Sequence, residues 1–287
     1  MAIIMDGEVV STLLIKAMLA DRDCLRMRKI RPTVEIMRVG NKKDALAYEA
    51  AVKKMFKKIE IRCLVSAYPD DVSQKKLVME IKRKNKDNRI HGILILRPLP
   101  EQLDECLIGK CLDPTKDSDG MTPYNLGNII LENNSSHLPC TPIAVLEMLS
   151  YYQIKLVGQR VLVIGQSAAV GKPLTVLLLN RGATVTTANI YTKDLKKSCL
   201  EADVIISATG KKGLIKKEYV PKGCVVIDVG ISVDAQGNVS GDVCFDEVKE
   251  QCSYITPVPG GIGLITTTVL ARNVLSTALN ESNEQVV

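Results

Sequence analysis

Hydrophobic positions along this chain fall in short runs, separated by longer stretches with helical spacing. In the first half, "PTVEIMRVG" reads as a strand ending at Gly40. Asp44 to Lys58 reads as a helix, "IRCLVSAYP" as a second strand, and Val72 to Asn85 as a lysine-rich amphipathic helix. "HGILILRPLP" is a buried strand closed by prolines. A loop-like stretch, "DPTKDSDGMTPYNLGN", precedes "PCTPIAVLEMLSYY", where Thr141 is placed to cap a helix with Pro142 at its first position. The second half alternates again, with strands expected at 160–164, 184–187, 203–207 and 224–228 and helices after the first two. A hairpin is expected around Gly237, then a stiff loop, "YITPVPGGIG", and a closing helix from Thr266 to Ser282. Strand–helix alternation throughout predicts an α/β protein whose parallel sheets carry helices on both faces. The 287 residues suit two domains, with the boundary in the loop around 120–140. Residues 1–120 plus the last helix, about 270–287, form one, and 121–269 the other.

Composition narrows the setting. Hydrophobic residues make up 46% of the chain, enough for a sizeable core. The first ten residues carry Asp6 and Glu8, so no long apolar signal segment forms, and no run approaches the ~18 apolar residues of a membrane span. A cytoplasmic protein is expected. The nine cysteines are scattered without any Cys-x-x-Cys, and only two histidines accompany them, so a metal site is not expected. Reduced, mostly buried thiols fit that pattern. The net charge is +6, with lysines clustered in "VKKMFKKIEIR" and "IKRKNKDNR". Solvated helix faces explain such clusters, and so does an anionic partner. No Trp and 3% aromatics argue against nucleic acid, which leaves an anionic small substrate.

The stretch "VLVIGQSAAVGKPL" carries chemistry. A nucleoside-triphosphate loop needs G-x-x-x-x-G-K-[ST], but five residues separate Gly165 from Gly171, and Pro173 stands where the hydroxyl belongs. A plain tight turn is a second reading. A dinucleotide site is the third: strand, glycine, small residues, glycine and a helix opened by Pro173 direct backbone N–H groups at a pyrophosphate. The turn is a variant of G-x-G-x-x-G, and Asn189 stands where a carboxylate would hold the ribose. Four alternating strands around it make the third reading the leading one.

Several stretches taken together resemble the methylenetetrahydrofolate dehydrogenase/methenyltetrahydrofolate cyclohydrolase family. They are "DPTKDSDGMTPYNLG", "PCTP", "IGQSAAVGKP", "ATVTT", "VVIDVGI", "GDVCFDEV" and "YITPVPGGIG", in the family's order over nearly the whole chain. The resemblance implies an N-terminal α/β catalytic domain, a Rossmann-like dinucleotide-binding domain with the variant glycine turn, and a homodimer serving one-carbon metabolism and purine biosynthesis. The substrate is a tetrahydrofolate derivative and the cofactor NADP or NAD, with the family alone favouring NADP. Tyr48 would pack on the pterin-aminobenzoate part and Asp119 would hydrogen-bond the pterin amides. Leu96, Pro259, Gly260, Gly261, Gly263 and Thr266 would line the folate pocket. Gly165, Gln166, Ser167 and Ile231 would contact the dinucleotide, with Gly171, Asn189, Ile190 and Thr209 in the same pocket. Hydride leaves the methylene carbon directly, so no general base is required and positioning supplies most of the rate.

The chain departs from the family pattern at the hydrolase step. A lysine usually lies four residues after the tyrosine, and here that residue is Val52. Leu96 replaces the glutamine of Gln-Leu-Pro-Leu. Lys54 is the candidate by comparison with a bacterial branch of the family, but on a regular helix it lies about 120° from Tyr48, so a bend must turn it inward. Lys53 lies about 140° away on the other side. Loss of the hydrolase step is therefore the alternative, and a non-catalytic nucleotide binder the rival from another class. Gln166 stands where NADP-preferring members place an arginine, and Lys193 is the nearby cation.

Overall fold

The computed structural model describes residues 2–133, 137–234 and 236–284. The chain opens with a two-residue strand, β1 (Ile3–Ile4), and a long helix, α1 (Gly7–Met27). Then come β2 (Thr33–Val39), α2 (Lys43–Lys58), β3 (Arg62–Tyr68), α3 (Gln74–Asn85), β4 (Gly92–Ile95), α4 (Glu105–Cys111) and α5 (Pro123–Ile130). α6 (Cys140–Tyr151) leads into β5 (Arg160–Ile164), α7 (Gly171–Leu179), β6 (Thr184–Ala188), α8 (Leu195–Leu200), β7 (Val204–Ser207) and β8 (Val225–Asp228). A ribbon of β9 (Ser232–Val233) and β10 (Val239–Ser240), α9 (Phe245–Val248), β11 (Tyr254–Ile255) and α10 (Ile262–Glu284) complete it.

Two compact units result. One takes Leu13–Cys140 and the chain from Thr267 on. The other takes the chain up to Thr12 and Thr141–Thr266. The division thus falls at 140/141 and not at 120/121; residues 134–136 of the expected boundary loop lie outside the described residues. The start of the chain joins the second unit because β1 pairs with β11 as an edge strand.

The first unit is built on a parallel sheet in the order β3-β2-β4. Every residue of β2 is buried, which is why its sequence reads as a near-continuous apolar run. Two charges sit inside that strand, and both are paired. Glu35 meets Lys84 Nζ at 2.6 Å and accepts the Ser66 hydroxyl. Lys84 therefore departs from the solvated-face reading of its lysine cluster: it is buried at the end of α3. Arg38 Nε donates to Glu49 Oε2 at 2.8 Å, and its other nitrogen donates to the Gly40 carbonyl and Asn41 Oδ1. This pair ties α2, which carries Tyr48, to the central strand.

The second unit is a six-stranded parallel sheet, β1-β11-β8-β7-β5-β6. The chain leaves β5 for β6 on one side and returns to β7 on the other, so the order reverses at β5. In open parallel sheets ligands bind beyond the carboxyl ends of the strands at such a reversal. Gly165 stands there.

Five expectations need correction, the first being the loop-like stretch at 113–128, whose second half forms α5 behind the Thr122 cap. α6 starts at Cys140, so Thr141 lies within its first turn and is not its cap. Helix α1 was not foreseen: its apolar residues are only partly on one face, with Val9 and Leu13 exposed while Val10 and Met18 are buried. Next, Ile262–Asn283 is long and apolar enough to cross a membrane, but most of it is buried within the protein. A helix covered by protein on most of its surface needs apolar residues nearly all round. Finally, the nine cysteines are free, but only four are buried, so they are not mostly buried as expected.

Arg38 and Glu49 keep only 11% and 9% of their side-chain surface exposed, so removing one strands the other in a dry site. Glu49→Ala should lower unfolding free energy by about 3–5 kcal/mol. Urea denaturation measures it; a loss under about 1 kcal/mol, the range of an exposed pair, would show the pair to be solvated.

Candidate active site

In the first unit, the segment from Lys116 to Gly120 runs parallel alongside β4 and presents Asp119. Ile93 N–H donates to the Lys116 carbonyl at 2.6 Å, and Ser118 N–H to the Ile93 carbonyl at 3.3 Å. Asp117, fully buried, accepts Thr122 N–H at 2.6 Å and the Asn125 amide at 2.9 Å. Asn273 on α10 donates to the Ser118 carbonyl at 2.9 Å. The backbone around Asp119 is therefore fixed from three directions. The Cys140 thiol bonds the Asp119 carboxyl and also reaches the Ser118 carbonyl at 3.3 Å.

Tyr48, Asp119 and Cys140 form one cluster. Burial first, then the Asp117 charge, pushes Asp119 up to about 7, against the pull of Cys140 and Arg97. Tyr48 retains partial exposure, yet the surrounding protein and then Asp119 and Cys140 hold its hydroxyl well above its ordinary range. Burial and the neighbouring Asp119 do the same to the Cys140 thiol. The cluster thus presents a protonated phenol, a protonated thiol and one carboxyl that changes state near neutrality. Cys140, Asp117 and Asn273 escaped the sequence reading. Only "PCTP" pointed to Cys140, which composition alone classed as a filler.

The other residues assigned to this unit behave differently. α2 is continuous from Lys43 to Lys58, with no break between Tyr48 and Lys54. Lys54 is exposed and turned away from Tyr48, so the bend its role requires is absent. Lys53 pairs with Glu49. Val52, on the Tyr48 side of the helix, is fully buried, and Leu96 is buried at the end of β4. Arg97 follows it, its guanidinium 2.8 Å from Glu105.

In the second unit, the turn after β5 is closed by contacts that exclude side chains. A Cβ on Gly165, whose φ is +101°, would lie 2.3 Å from the Ala208 carbonyl oxygen, and one on Gly171 would lie 1.8 Å from that of Gly165. Ser167 shapes the turn: its hydroxyl accepts Val170 N–H at 3.1 Å and its carbonyl accepts Lys172 N–H at 3.1 Å. The helix begins at Gly171, so Pro173 sits two residues inside it. The amides of Gln166, Ser167 and Ala168 have no internal acceptor among the described residues. Three free N–H groups beside a helix start and narrow glycines fit a pyrophosphate.

Asn189 ends β6 in an Asx turn, its Oδ1 accepting Tyr191 N–H at 2.9 Å, and Ile190 is 90% exposed. Thr209 donates both N–H and hydroxyl to Asp242 Oδ2, at 2.7 and 2.8 Å. Its hydroxyl is thus committed to the protein, and Thr209 fixes the loop. Asp228 accepts three backbone N–H groups, from Gly230, Asp242 and Val243. Burial pushes its carboxyl up to about 7, with those amides opposing. Together the two aspartates hold the exposed Ile231 beside the Thr209 loop. Gly260 turns the "PVPGGIG" segment at φ +106°, its carbonyl accepting Gly7 N–H at 2.9 Å. A Cβ on Gly263 would lie 3.8 Å from Ile231 Cδ1, so the "PVPGGIG" loop and Ile231 are neighbours within this unit. Pro259 and Gly261 lie in the same loop, and Thr266 is buried in α10, its hydroxyl bonded to the Ile262 carbonyl. Gly7 is a partner of that loop that sequence patterns did not single out.

These features define a two-domain α/β protein of the dinucleotide-binding class. Residues 5–119 match the catalytic domain, and residues 139–282 the NAD(P)-binding domain, of tetrahydrofolate dehydrogenase/cyclohydrolase. The chain belongs to that family. It is 41% identical to the bifunctional protein FolD of Alkaliphilus metalliredigens, covering 98% of this chain and 99% of that protein. It is 42% identical to that of Dictyoglomus thermophilum, covering 99% of each. Among solved structures, the bifunctional FolD methylenetetrahydrofolate dehydrogenase/cyclohydrolase of Campylobacter jejuni superposes with a TM-score of 0.94 at 36% identity, covering 98% of this chain and 100% of that one. The Trypanosoma brucei N5,N10-methylenetetrahydrofolate dehydrogenase-cyclohydrolase, complexed with NADP and an inhibitor, superposes with a TM-score of 0.93 at 32% identity, covering 98% of each. This chain is a bifunctional NAD(P)-dependent enzyme of folate one-carbon metabolism, both dehydrogenase and cyclohydrolase.

The raised Asp119 carboxyl has a consequence for stability. Its folded value of about 7 lies above the ordinary 3.8, so its contribution is fully present below about 3.8 and is lost as pH rises through 7. Asp119→Asn removes that loss. The variant should match the wild type near pH 4 and melt at higher temperature than it at pH 8. Parallel melting curves across that range would show that Asp119 ionises freely in the fold.

Proposed function

We propose that Asp119 anchors the folate. As a carboxylate it accepts two N–H groups of the pterin ring, a geometry that a neutral carboxyl cannot supply. The observation that carries this reading is the near-neutral Asp119 carboxyl with only the Cys140 thiol as side-chain donor among the described residues. A half-buried acceptor left this open gains from a ligand that brings donors. Tyr48 supplies an aromatic face for the pterin-aminobenzoate part, and its raised pKa keeps the hydroxyl a donor. In the second unit, the family resemblance assigns the short side chains of Pro259, Gly260, Gly261 and Gly263 to folate.

The second unit receives the dinucleotide. The amides of Gln166 and Ser167 face its pyrophosphate, with Gly165 and Gly171 permitting the approach, and Ile231, beside Thr209, gives apolar contact. When bound, the nicotinamide supplies the hydride acceptor. On the protein side, oxidation needs only that the methylene carbon be held in place, because the two folate nitrogens share the positive charge that develops. The family resemblance also supports a homodimer, a cytoplasmic location and a slight preference for NADP.

Of the three residues assigned to catalysis, Tyr48 and Asp119 share a site and Lys54 stands apart. Hydrolysis therefore rests on Tyr48 and Asp119, in a site where Val52 and Leu96 are apolar.

Folate affinity should rise as pH rises through about 7, the region where Asp119 ionises, and level off above it. Asp119→Ala should remove that dependence and weaken binding roughly ten- to a hundred-fold, the value of one charge-assisted hydrogen bond. Fluorescence titration with a folate analogue between pH 5.5 and 8.5 tests both, and unchanged affinity in the variant overturns the assignment. Lys54→Met should slow methenyltetrahydrofolate hydrolysis by less than about tenfold, whereas loss of an acid–base group costs about 10²–10⁴-fold. A hundredfold loss of hydrolysis would return Lys54 to the site. NADP and NAD should differ by less than about 100-fold in kcat/KM, since neither an arginine at Gln166 nor a carboxylate at Asn189 selects between them. A larger ratio would point to Lys193.

A further inference from the structure

A cavity of about 750 Å³ opens in the first unit, and it is not the folate site. Its lining comes from the end of α1, the loop from it to β2, the helix α2, and the start of β3 with the two residues before it. Register places Thr33 beside Arg62 at that end, and Val39 beside Tyr68 at the other. At about 3.3 Å per residue, the two ends lie about 20 Å apart. Asp117 bridges Ile93 in parallel, which sets Asp119 level with the carboxyl end of β4, so the cavity lies at the opposite end of the sheet.

The charge of this cavity is its main property. Arg22, Arg26, Lys29, Arg31, Lys53, Lys57 and Arg62 line it, with Glu60 as the sole acid among the lining residues. Some of the cations are compensated. Arg22 and Arg26 share Asp23, at 2.8 and 3.3 Å, and Lys53 is held by Glu49. Lys29, Arg31, Lys57 and Arg62 have no anionic partner among the described residues. A solvated helix face explains one row of lysines. It does not explain four unpaired cations converging from the loop after α1, from α2 and from the start of β3 on one concavity, where like charges repel. Concave walls of one sign concentrate potential and attract counter-ions.

The lining also selects among anions. Four of the seven cations are arginines, and two of these, Arg31 and Arg62, have no anionic partner among the described residues, so their planar forks are open to phosphate. Ile30, Pro32, Ile61 and Cys63 are the uncharged members, and none of the lining residues is aromatic. A base therefore has no ring to stack on, and the volume exceeds what a single phosphate fills. We propose that this cavity is a second ligand site, for a chain of linked phosphates, either free or as the triphosphate of a nucleotide. Two lysine-cluster members singled out from the sequence, Lys53 and Lys57, thereby acquire a use that the folate reaction does not give them.

Isothermal titration of the full chain tests this, with saturating NADP present so that the dinucleotide turn is occupied. The probes are inorganic tripolyphosphate, orthophosphate, ATP and a single-stranded oligonucleotide. Tripolyphosphate should bind more tightly than orthophosphate and lose affinity steeply as salt is raised. Equal binding of ATP and tripolyphosphate identifies the phosphate chain as the recognised group, and tighter binding of ATP identifies a nucleotide source. The double variant Arg31→Glu with Arg62→Glu, at residues without internal ion pairs, should weaken tripolyphosphate binding more than about tenfold. Its melting temperature and hydride-transfer rate without polyphosphate should stay at wild-type values. Should the variant unfold, Lys57→Gln serves in its place, with a smaller loss expected. Absence of tripolyphosphate binding at low salt, equal binding by the charge-reversed protein, orthophosphate binding as tightly, or tighter binding of the oligonucleotide would each overturn the proposal.

Discussion

Partial burial of the Asp119 carboxyl is the constraint around which the first unit is arranged. A carboxylate removed from water is stable only with compensating donors, and otherwise it takes up a proton. Asp119 takes the second course in part, rising to about 7. The surrounding structure exists to keep it in that position. Asp117 is bonded to Thr122 and Asn125, Ser118 to Asn273, and the segment as a whole to Ile93. These bonds immobilise the backbone without satisfying the Asp119 side chain. The unit gives up stability at one residue and leaves an acceptor ready for a ligand, the usual exchange at a binding site.

The second unit uses buried carboxyls in the opposite way. Asp228 is filled by three backbone amides, and one oxygen of Asp242 takes two hydroxyls and an amide. They join the ends of β7 and β8 to the ribbon of β9 and β10. Apart from the buried Asp242 Oδ1, which has no partner among the described residues, their oxygens are taken by internal donors, and they hold the Thr209 loop steady. What remains open there is backbone: the amides after Gly165. Two aspartate motifs that look alike in sequence, "KDSDG" and "VVIDVG", thus differ in function according to whether the fold supplies the donors.

The parts of this architecture that depend on local pattern could be read from the chain. The strands around 160–164, 184–188 and 204–207 lie within a residue or so of expectation because each is an apolar run between turn residues. The glycine turn was legible for the same reason. What escaped depends on long-range neighbours. Cys140 is far in sequence from Asp119, and no spacing rule relates them. Lys84 looks like any other lysine of its helix until Glu35 is found beneath it. Helix α1 has apolar residues on more than one face, so its periodicity is blurred. Lys54 shows the converse: comparison with relatives made it a candidate, and an unbroken helix turns it outward.

The central claim is that Asp119 waits as a carboxyl near its midpoint and becomes a carboxylate on meeting the folate. Difference infrared spectroscopy at pH 6, with Asp119→Asn identifying the band, reads this directly. The account predicts a protonated-carboxyl C=O band in the free protein that disappears when a folate analogue is added, replaced by carboxylate absorption. A free protein with no such band, or a band that survives saturation with the analogue, would contradict it.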